Sequence, residues 1–277
     1  MNRIRNLRSA DIPHLLELSR LAGWNQTAAD WERALTLSPH HCFGVETDGR
    51  IVSSAAAFLY GQDLAWIGMV LTHPAYRGQG RARSLLDHTI KALRQAGIGW
   101  MKLDATEQGR PLYESLGFAA ECPVERWKRP AGKGPKPAAP PLVHPYVVDP
   151  SFDRAYFGAY RVPLLNALVR AGEAAFVVGY GYAMTRPGSL ATYFGPSVVR
   201  TREAARRLLE WFLANHGEEE IFWDLFPDNT DAVQLAIDYG FEPARHLVRM
   251  AAPCRPGATP LAHHNSSIFA IAGFEYG

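Results

Sequence analysis

Residues 76–82 read Tyr-Arg-Gly-Gln-Gly-Arg-Ala and stand directly before an amphipathic stretch. Glycine lets the backbone come close to a ligand and turn its N–H groups toward it. A helix that starts here adds unpaired N–H donors and the positive end of its dipole. Because Arg77, Arg81 and Arg83 stand alongside, the sequence predicts a binding loop for a phosphate or pyrophosphate.

The spacing of residues within this loop excludes two common kinds of phosphate-binding site. A P-loop needs a Gly-Lys-Ser/Thr sequence, and the run has no lysine. A dinucleotide fingerprint needs a third glycine at the place of Arg83. The pattern that remains, Arg-x-x-Gly-x-Ala over residues 77–82 after a Val-x-Thr-His-Pro strand end, resembles the acyl-CoA pyrophosphate loop of the GNAT N-acetyltransferase superfamily. A strand-to-helix turn with solvated arginines is the alternative that these six residues leave open.

A set of predicted strands and helices must position this loop. The apolar strand Leu64–Thr72 leads into it, and a helix follows to Ala96. A second motif, Leu-Tyr-Glu-Ser-Leu-Gly-Phe at residues 112–118, looks like the superfamily's fourth-helix signature. The predicted order over residues 3–128 is β-α-α-β-β-β-α-β-α-β, the GNAT order. The resemblance therefore implies an α/β (α+β layered) fold with a mixed central sheet flanked by helices.

Capping residues predict where the first helices begin. Ser9 is expected to cap a helix from Ala10 to Leu21, and Thr27 a second helix that ends at Leu37. The dipeptide Asp48-Gly49 predicts a hairpin between the two strands that follow. A fifth strand is expected at Trp100–Ala105.

Length, composition and charge limit the classes of protein. A chain of 277 residues suits two domains, and 47% hydrophobic with 20% charged residues is typical of soluble globular proteins. A net charge of +2 gives no reason to expect nucleic-acid or membrane partners. Cys42, Cys122 and Cys254 lie far apart, which favours a reducing compartment. Without a membrane-length apolar run or a signal peptide, the expected location is the cytoplasm.

The second half of the chain repeats the first. A shift of 123 residues places Gly117-Phe118 on Gly240-Phe241 and Arg77 on Arg200 without a gap. In this alignment the glycines of the loop are lost, and a carboxylate there would repel a pyrophosphate. The second copy is therefore expected to keep the fold without the site. The aligned pairs are Trp100 with Trp223, Leu112 with Leu235, Ala82 with Ala205, Gly78 with Thr201, Gly80 with Glu203 and Tyr113 with Ala236.

The repeat predicts three segments. A catalytic domain is expected at residues 1–129, a proline-rich linker at 130–141 and a degenerate GNAT-like domain at 142–277. This organisation resembles the tandem GNAT proteins of the YitH/HolE type. The second domain is expected to bind no CoA and to cap the acceptor side of the first, which gives a monomer with an intramolecular pseudo-dimer.

The resemblance implies a donor site for acetyl-CoA and no metal. Backbone N–H groups near Val70 and Leu71 are expected to face the thioester carbonyl, and Tyr113 is expected to protonate the leaving thiolate. A tyrosine that only packs in the core is the alternative for Tyr113. The expected donor-site residues are Met69, Val70, Leu71, Thr72, Arg77, Gly78, Gln79, Gly80, Arg81, Ala82, Thr106 and Arg110.

The general base is less defined, because Trp66 stands where many family members hold a glutamate. Asp104 is the nearest candidate, and Asp63 or Glu107 acting through water are others. The acceptor is expected between the first two helices and the central strands, in a pocket for an apolar or cationic small molecule. Its expected residues are Trp24, Asn25, Trp31 and Trp66, with a tryptophan in the core as the alternative. The pairs His40-His41 and His263-His264 lack metal spacing and are expected at the surface.

These features together predict an acyl-CoA-dependent N-acyltransferase. The acetyl group of acetyl-CoA would pass to a primary amine of a small molecule by direct attack in a ternary complex. The alternative is a non-catalytic acyl-CoA-binding sensor or scaffold, which Trp66 at the usual position of the base favours. Thiol release from acetyl-CoA over a panel of amines separates the two.

Overall fold

The computed structural model describes residues 3–135, 137, 143–145, 149–262 and 264–277. Its first half has the predicted order of strands and helices, and the structure confirms the mixed sheet flanked by helices. The elements are β1 Arg3–Asn6, α1 Ile12–Leu21, α2 Ala28–Leu37, β2 Cys42–Thr47, β3 Arg50–Tyr60, β4 Leu64–Thr72, α3 Arg81–Gln95, β5 Trp100–Ala105, α4 Arg110–Ser115 and β6 Ala119–Arg129.

Local chemistry explains where these helices begin. Thr27 caps α2 as predicted, and its hydroxyl accepts the N–H of Asp30, whose carboxylate accepts the N–H of Thr27. The prediction that Ser9 caps the first helix was wrong. Residues Ser9–Asp11 form a 3₁₀ turn, and α1 begins after Asp11.

The second half has the elements β7 His144–Pro145, α5 Pro150–Phe157, α6 Val162–Ala171, β8 Glu173–Val177, β9 Gly181–Arg186, β10 Thr192–Val199, α7 Arg202–His216, β11 Ile221–Leu225, α8 Thr230–Asp238, β12 Glu242–Pro253 and β13 Ile268–Ala270. Residues 150–171 form two helices, α5 and α6, and not one continuous helix. Gly158 ends α5 in the left-handed conformation with φ +91°, and the carbonyl oxygen of Ala262 lies 2.2 Å from the position of a Cβ there. The predicted linker lies partly outside the described residues.

The two halves share one sheet because their last strands are exchanged. The strand order is β1-β2-β3-β4-β5-β12-β6-β11-β10-β9-β8-β7, and β13 pairs with β10. Strand β12 of the second half therefore pairs with β5 of the first, and β6 of the first half pairs with β11 of the second. Between them β6 and β12 run antiparallel, with Val124 opposite Leu247. Each half completes its sheet with a strand from the other.

The loop that follows the central strand differs between the halves in length. Residues 73–80 connect β4 to α3, whereas Arg200 and Thr201 alone connect β10 to α7. The ungapped alignment of Arg77 with Arg200 was therefore wrong at this point. Glu203 lies inside α7, while Gly80 precedes α3. The second half has lost the loop itself, and not just its glycines.

The space beside the central strand, where its parallel neighbour stops pairing with it, also differs between the halves. Strand β10 pairs with β11 up to Phe194 and Trp223, and beyond them it pairs with β13. Trp223 donates to the carbonyl oxygen of Phe269 at 2.7 Å, which fixes β13 in that place. The second half therefore fills with its own chain the space next to its central strand.

Candidate active site

Strands β4 and β5 diverge halfway along the first half's sheet. Their parallel pairing includes Leu64 with Trp100 and stops at Trp66 with Lys102 within these fully described strands. Met69 has φ +51° where the register between β3 and β4 shifts, and its carbonyl oxygen accepts the hydroxyl of Ser54 at 2.9 Å. A cavity of about 80 Å³ opens beside this bulge. It is lined by Trp24, Asn25, Gln26, Ile67, Gly68, Met69, Val70, Asp104, Thr106, Tyr113, Arg126, Arg245, Leu247, Phe274 and Glu275.

The glycine loop has the geometry that an anion requires. Gly78 and Gly80 have φ +71° and +72°, and no heavy atom lies within 4 Å of the Cβ position of either. Gly80 is the residue before α3, whose first turn offers its free N–H groups. The side chain of Arg77 donates to the carbonyl oxygen of Thr72 at 3.1 Å, and Arg81 donates to Thr47 at 2.8 Å. The exposed backbone and the nearby cations fit a pyrophosphate.

The other residues predicted for the donor site lie at the ends of β4 and β5 and at the starts of α3 and α4. Thr106 lines the cavity and accepts the N–H of Gly109 at 3.2 Å. Arg110 is exposed and forms an ion pair with Glu114 at 2.7 Å. Of the twelve predicted residues, Met69, Val70 and Thr106 line the cavity. The others lie outside it: Leu71 and Thr72 at the end of β4, residues 77–81 of the glycine loop and the start of α3, Ala82 in the first turn of α3, and Arg110.

Tyr113 lies at the wall of the cavity. Its side chain is buried from solvent apart from the cavity side, and its ring meets Phe118 edge to face at 6.1 Å. Within the described part of the chain, no hydrogen bond of its hydroxyl is found. A phenol keeps its proton at neutral pH, and burial raises the pKa of this hydroxyl above its ordinary value. The group can therefore donate a proton into the cavity.

Asp104 lines the cavity but is held by an arginine of the second half. Its two carboxylate oxygens accept from Arg249 at 2.9 and 3.0 Å, across the β5–β12 pairing. Burial raises the pKa of the Asp104 carboxyl and Arg249 opposes this shift. The other two suggested carboxylates do not line the cavity. Asp63 precedes β4 and lies 3.7 Å from Arg154, and Glu107 is exposed after β5.

The C-terminal tail contributes a carboxylate that the sequence analysis missed. Glu275 is 6% exposed, lines the cavity and accepts from Arg186 at 3.0 Å. Its backbone packs on β4 so closely that a Cβ on Gly68 would lie 2.5 Å from the carbonyl oxygen of Glu275. Burial raises the pKa of this carboxyl above its ordinary value, and the charge of Arg186 opposes the shift.

Trp66 anchors this tail and does not line the cavity. Its indole N–H donates to the carbonyl oxygen of Phe274 at 3.0 Å, and a Cβ on Gly277 would lie 2.6 Å from its ring. Trp31 also lies elsewhere: it is fully buried in the core and donates to Ser19 at 3.1 Å. Of the four predicted acceptor residues, the structure brings Trp24 and Asn25 to the cavity.

Asn25 joins the two halves. Its side-chain oxygen accepts the N–H groups of Leu190 and Ala191 at 2.8 and 3.0 Å, and its amide donates to the carbonyl oxygen of Ala191 at 2.9 Å. Its neighbour Gln26 also lines the cavity, and the side-chain oxygen of Gln26 is buried without a hydrogen-bond partner. Asn25 therefore holds the wall of the cavity in place, while Gln26 offers it a free acceptor.

Arg126, Arg245, Phe274 and Glu275 were missed because they come from strand exchange and from the tail. No local motif marks them, and their distance along the chain from the glycine loop gives no signal.

His40 and His264 are exposed, and His263 lies outside the described residues. Across the described ranges, no group of three potential metal ligands is found. Nor is any helix in these ranges long and apolar enough to cross a bilayer.

Comparison with known proteins gives matches over both halves. Residues 3–118 match the acetyltransferase (GNAT) family, and residues 150–270 match an acetyltransferase (GNAT) domain. The chain is 26% identical to the uncharacterized N-acetyltransferase YitH of Bacillus subtilis over 91% of this chain and 93% of that one. It is 30% identical to the [ribosomal protein bS18]-alanine N-acetyltransferase of Escherichia coli strain K12 over 43% of this chain and 81% of that one. The fold is similar to a putative acetyltransferase from Pyrococcus horikoshii, with a TM-score of 0.87, 19% identity and coverage of 100% and 96%.

The difference between the halves predicts one CoA site per chain. The first half has the glycine loop and an open gap beside β4, whereas the second half has a short connection after β10 and β13 in the gap. Calorimetric titration with CoA is expected to give a stoichiometry of one. Two equivalent sites per chain would contradict this interpretation.

Gly80→Glu is expected to abolish binding at the loop. The new carboxylate would lie beside the pyrophosphate, and one like charge about 4 Å away costs on the order of 4 kcal/mol at an effective dielectric near 20, or roughly a thousandfold in affinity. The left-handed conformation of Gly80 adds strain of about 1 kcal/mol for any side chain.

Gly80→Ala is the matched control, because it carries the same backbone strain without the charge. Circular dichroism checks that both variants fold, and calorimetry measures acetyl-CoA affinity. The alanine variant is expected to retain much more affinity than the glutamate variant. If the folded glutamate variant binds like the parent, the loop at residues 77–82 does not hold the pyrophosphate.

Proposed function

The chain belongs to the GNAT family of acetyltransferases, and from this premise we propose that it transfers an acetyl group from acetyl-CoA to a primary amine of a small molecule. One observation carries the proposal: Val70, Tyr113 and Glu275 face one cavity at the point where β4 and β5 diverge. These residues supply the groups that acyl transfer to an amine requires. The amine would attack the thioester directly in a ternary complex.

The donor is held by the loop and by the central strand. Acetyl-CoA supplies the reactive thioester when bound. Arg77, Arg81 and the backbone of Gly78 and Gly80 would hold its pyrophosphate, and the edge of β4 beyond Trp66 would receive its acyl end. N–H groups of β4 near Val70 that have no partner strand would stabilise the negative charge that develops on the carbonyl oxygen.

Tyr113 is proposed as the general acid. Its hydroxyl keeps its proton at neutral pH, as a phenol does, and it has no hydrogen-bond partner among the residues described. It lies at the cavity wall beside the diverging strands. It would give its proton to the thiolate that leaves when the carbonyl–sulfur bond breaks.

Glu275 is proposed as the general base for the amine. An alkylammonium with a pKa of about 10.4 costs roughly 4–5 kcal/mol to deprotonate at pH 7, so a carboxylate in the cavity matters. Glu275 uses one oxygen for Arg186, whereas both oxygens of Asp104 are held by Arg249. Asp104 then serves as the charge partner of Arg249 and keeps the wall of the cavity in place.

The position of Glu275 supports the transferase proposal over the alternative of a non-catalytic sensor. That alternative depends on Trp66 at the usual place of the base. In the structure Trp66 binds the tail through Phe274 and Gly277, and the tail places a carboxylate against Gly68. Walls from both halves and the tail close the cavity, which supports a small acceptor. The three free cysteines suit a cytoplasmic setting, which stays a prediction.

Tyr113→Phe is expected to lower the turnover number about 10²–10⁴-fold, because the proton donor to the leaving thiolate is lost. Its affinity for CoA is expected to change little, since the ring stays in place against Phe118. Thiol release under single-turnover conditions measures the rate, and calorimetry measures the affinity. A rate within threefold of the parent would leave Tyr113 with a packing role.

Glu275→Gln is expected to lower kcat/KM and to change its pH profile. The parent rate is expected to fall at acid pH as Glu275 takes up a proton, in a range above the ordinary pKa of a glutamate because burial raises it. The variant has no group to protonate there, so that acid limb disappears.

Glu17→Gln is the matched control, because Glu17 is a surface carboxylate paired with Arg50. It is expected to keep both the rate and the pH profile of the parent. Thermal unfolding checks that Glu275→Gln, which removes the charge beside Arg186, is still folded at the assay temperature. An unchanged acid limb in Glu275→Gln would assign the base to another group.

A further inference from the structure

We propose that the acceptor carries a carboxylate besides its amine, and that Arg245 binds this carboxylate. The inference rests on the proposed function, because it names the class of amine that the same cavity takes. Arg245 lies on β12 of the second half, is half-buried and lines the cavity. Neither a hydrogen bond nor an ion pair of its guanidinium to any described residue is found.

Arg245 on β12 is paired with another arginine on the neighbouring strand β6. The pairing of neighbouring strands places Asp224 opposite Arg126, and Arg126 opposite Arg245. Arg126 donates to both carboxylate oxygens of Asp224 at 2.7 Å. Like charges directly opposite each other on neighbouring strands repel, so Arg245 lies beside a cation whose own partner is already used. An anion in the cavity would relieve this repulsion.

The other charges around the cavity are matched. Asp104 is bound by Arg249, and Glu275 is bound by Arg186. With Asp224 bound by Arg126, each carboxylate near the cavity has its own arginine. Arg245 is left over, and a single negative charge balances it. A carboxylate supplies that charge and can accept two parallel hydrogen bonds from one guanidinium.

The sheet itself does not require this arginine. Strands β6 and β12 are related by a local twofold at Val124 and Leu247, so the pair formed by Arg126 and Arg245 has a counterpart in Arg249 and Cys122. The position equivalent to Arg245 is thus occupied by the uncharged Cys122. A side chain without charge is compatible with the register, and the cation at 245 is specific to the cavity.

Gln26 has the complementary requirement, because its side-chain oxygen needs a hydrogen-bond donor from the ligand. Its buried side-chain oxygen lines the same cavity and has no partner in the described structure. An amine N–H can donate to that oxygen, and the carboxylate of Glu275 lies in the same wall. A buried acceptor without a partner is costly, so a ligand that supplies a donor there gains affinity. The cavity therefore matches a molecule with an amine and a carboxylate.

A kinetic test compares each of several amino carboxylates with its carboxamide, for example β-alanine with β-alaninamide. The parent is expected to prefer the acid of at least one pair about ten- to a hundredfold in kcat/KM, as for a hydrogen bond to a charged group. Arg245→Gln is expected to bring this ratio close to one, mainly through the KM of the acid. Arg20→Gln, at an exposed position of α1, is the control that keeps the preference.

A binding test does not depend on turnover. Propionate is added to the protein saturated with CoA, so that the pyrophosphate loop is filled, and its binding is followed by saturation-transfer NMR. A signal in the parent and in Arg20→Gln that disappears in Arg245→Gln supports the proposal. A signal that Arg245→Gln leaves unchanged, or no signal in the parent, overturns it, as does equal turnover of acids and amides.

The two tests separate this inference from the proposed function. If propionate binding depends on Arg245 but neither acids nor amides release thiol from acetyl-CoA, the carboxylate site stands and the transferase proposal fails. If amines are acetylated and no acid is preferred to its amide, the transferase proposal stands and the carboxylate site fails. Thermal unfolding shows whether Arg245→Gln is folded in both tests.

Discussion

The antiparallel pairing of β6 with β12 is the interaction on which the rest of the structure depends. Backbone N–H and C=O groups of a central strand must be paired on both sides, because water does not reach them. Here β5 finds its partner in β12, and β11 finds its partner in β6, so neither half has a complete sheet by itself. The exchange joins the two sequence repeats in one sheet and brings Arg245 and Leu247 of the second half to a cavity of the first.

Charges buried by this exchange are paired across the halves. Arg249 with Asp104 and Arg126 with Asp224 each join a strand of one half to a strand of the other. A buried charge that loses its partner costs several kcal/mol, so each of these pairs holds the strands in register. Arg245 also lines the cavity and has no such partner among the described residues.

The two halves differ in what occupies the space beside the central strand. Both have a central strand that leaves its parallel neighbour halfway along, and the space beside it must be filled or solvated. The second half fills it with β13, which Trp223 fixes in place, and its connection to α7 is short. The first half keeps the space as a cavity, and the tail that docks on Trp66 closes one side of it. The same segment, residues 268–277, thus fills the space in the second half and forms one side of the cavity in the first.

Local sequence determined the elements and the donor loop. Leu64–Thr72 was predicted as the central strand and is one, and the glycines of residues 76–82 have the positive φ that the loop needs, because steric preference acts within a few residues. The repeat and the GNAT family were likewise readable from motifs at fixed spacing. Beyond Trp24 and Asn25, which were predicted for the pocket, the polar lining of the cavity was decided by the tertiary structure. Trp66, expected in the acceptor pocket, binds the tail. Arg245 reaches the cavity through strand exchange, and Glu275 reaches it through the docking of the tail. No spacing rule connects residues so far apart in the chain, since their meeting depends on which strands pair.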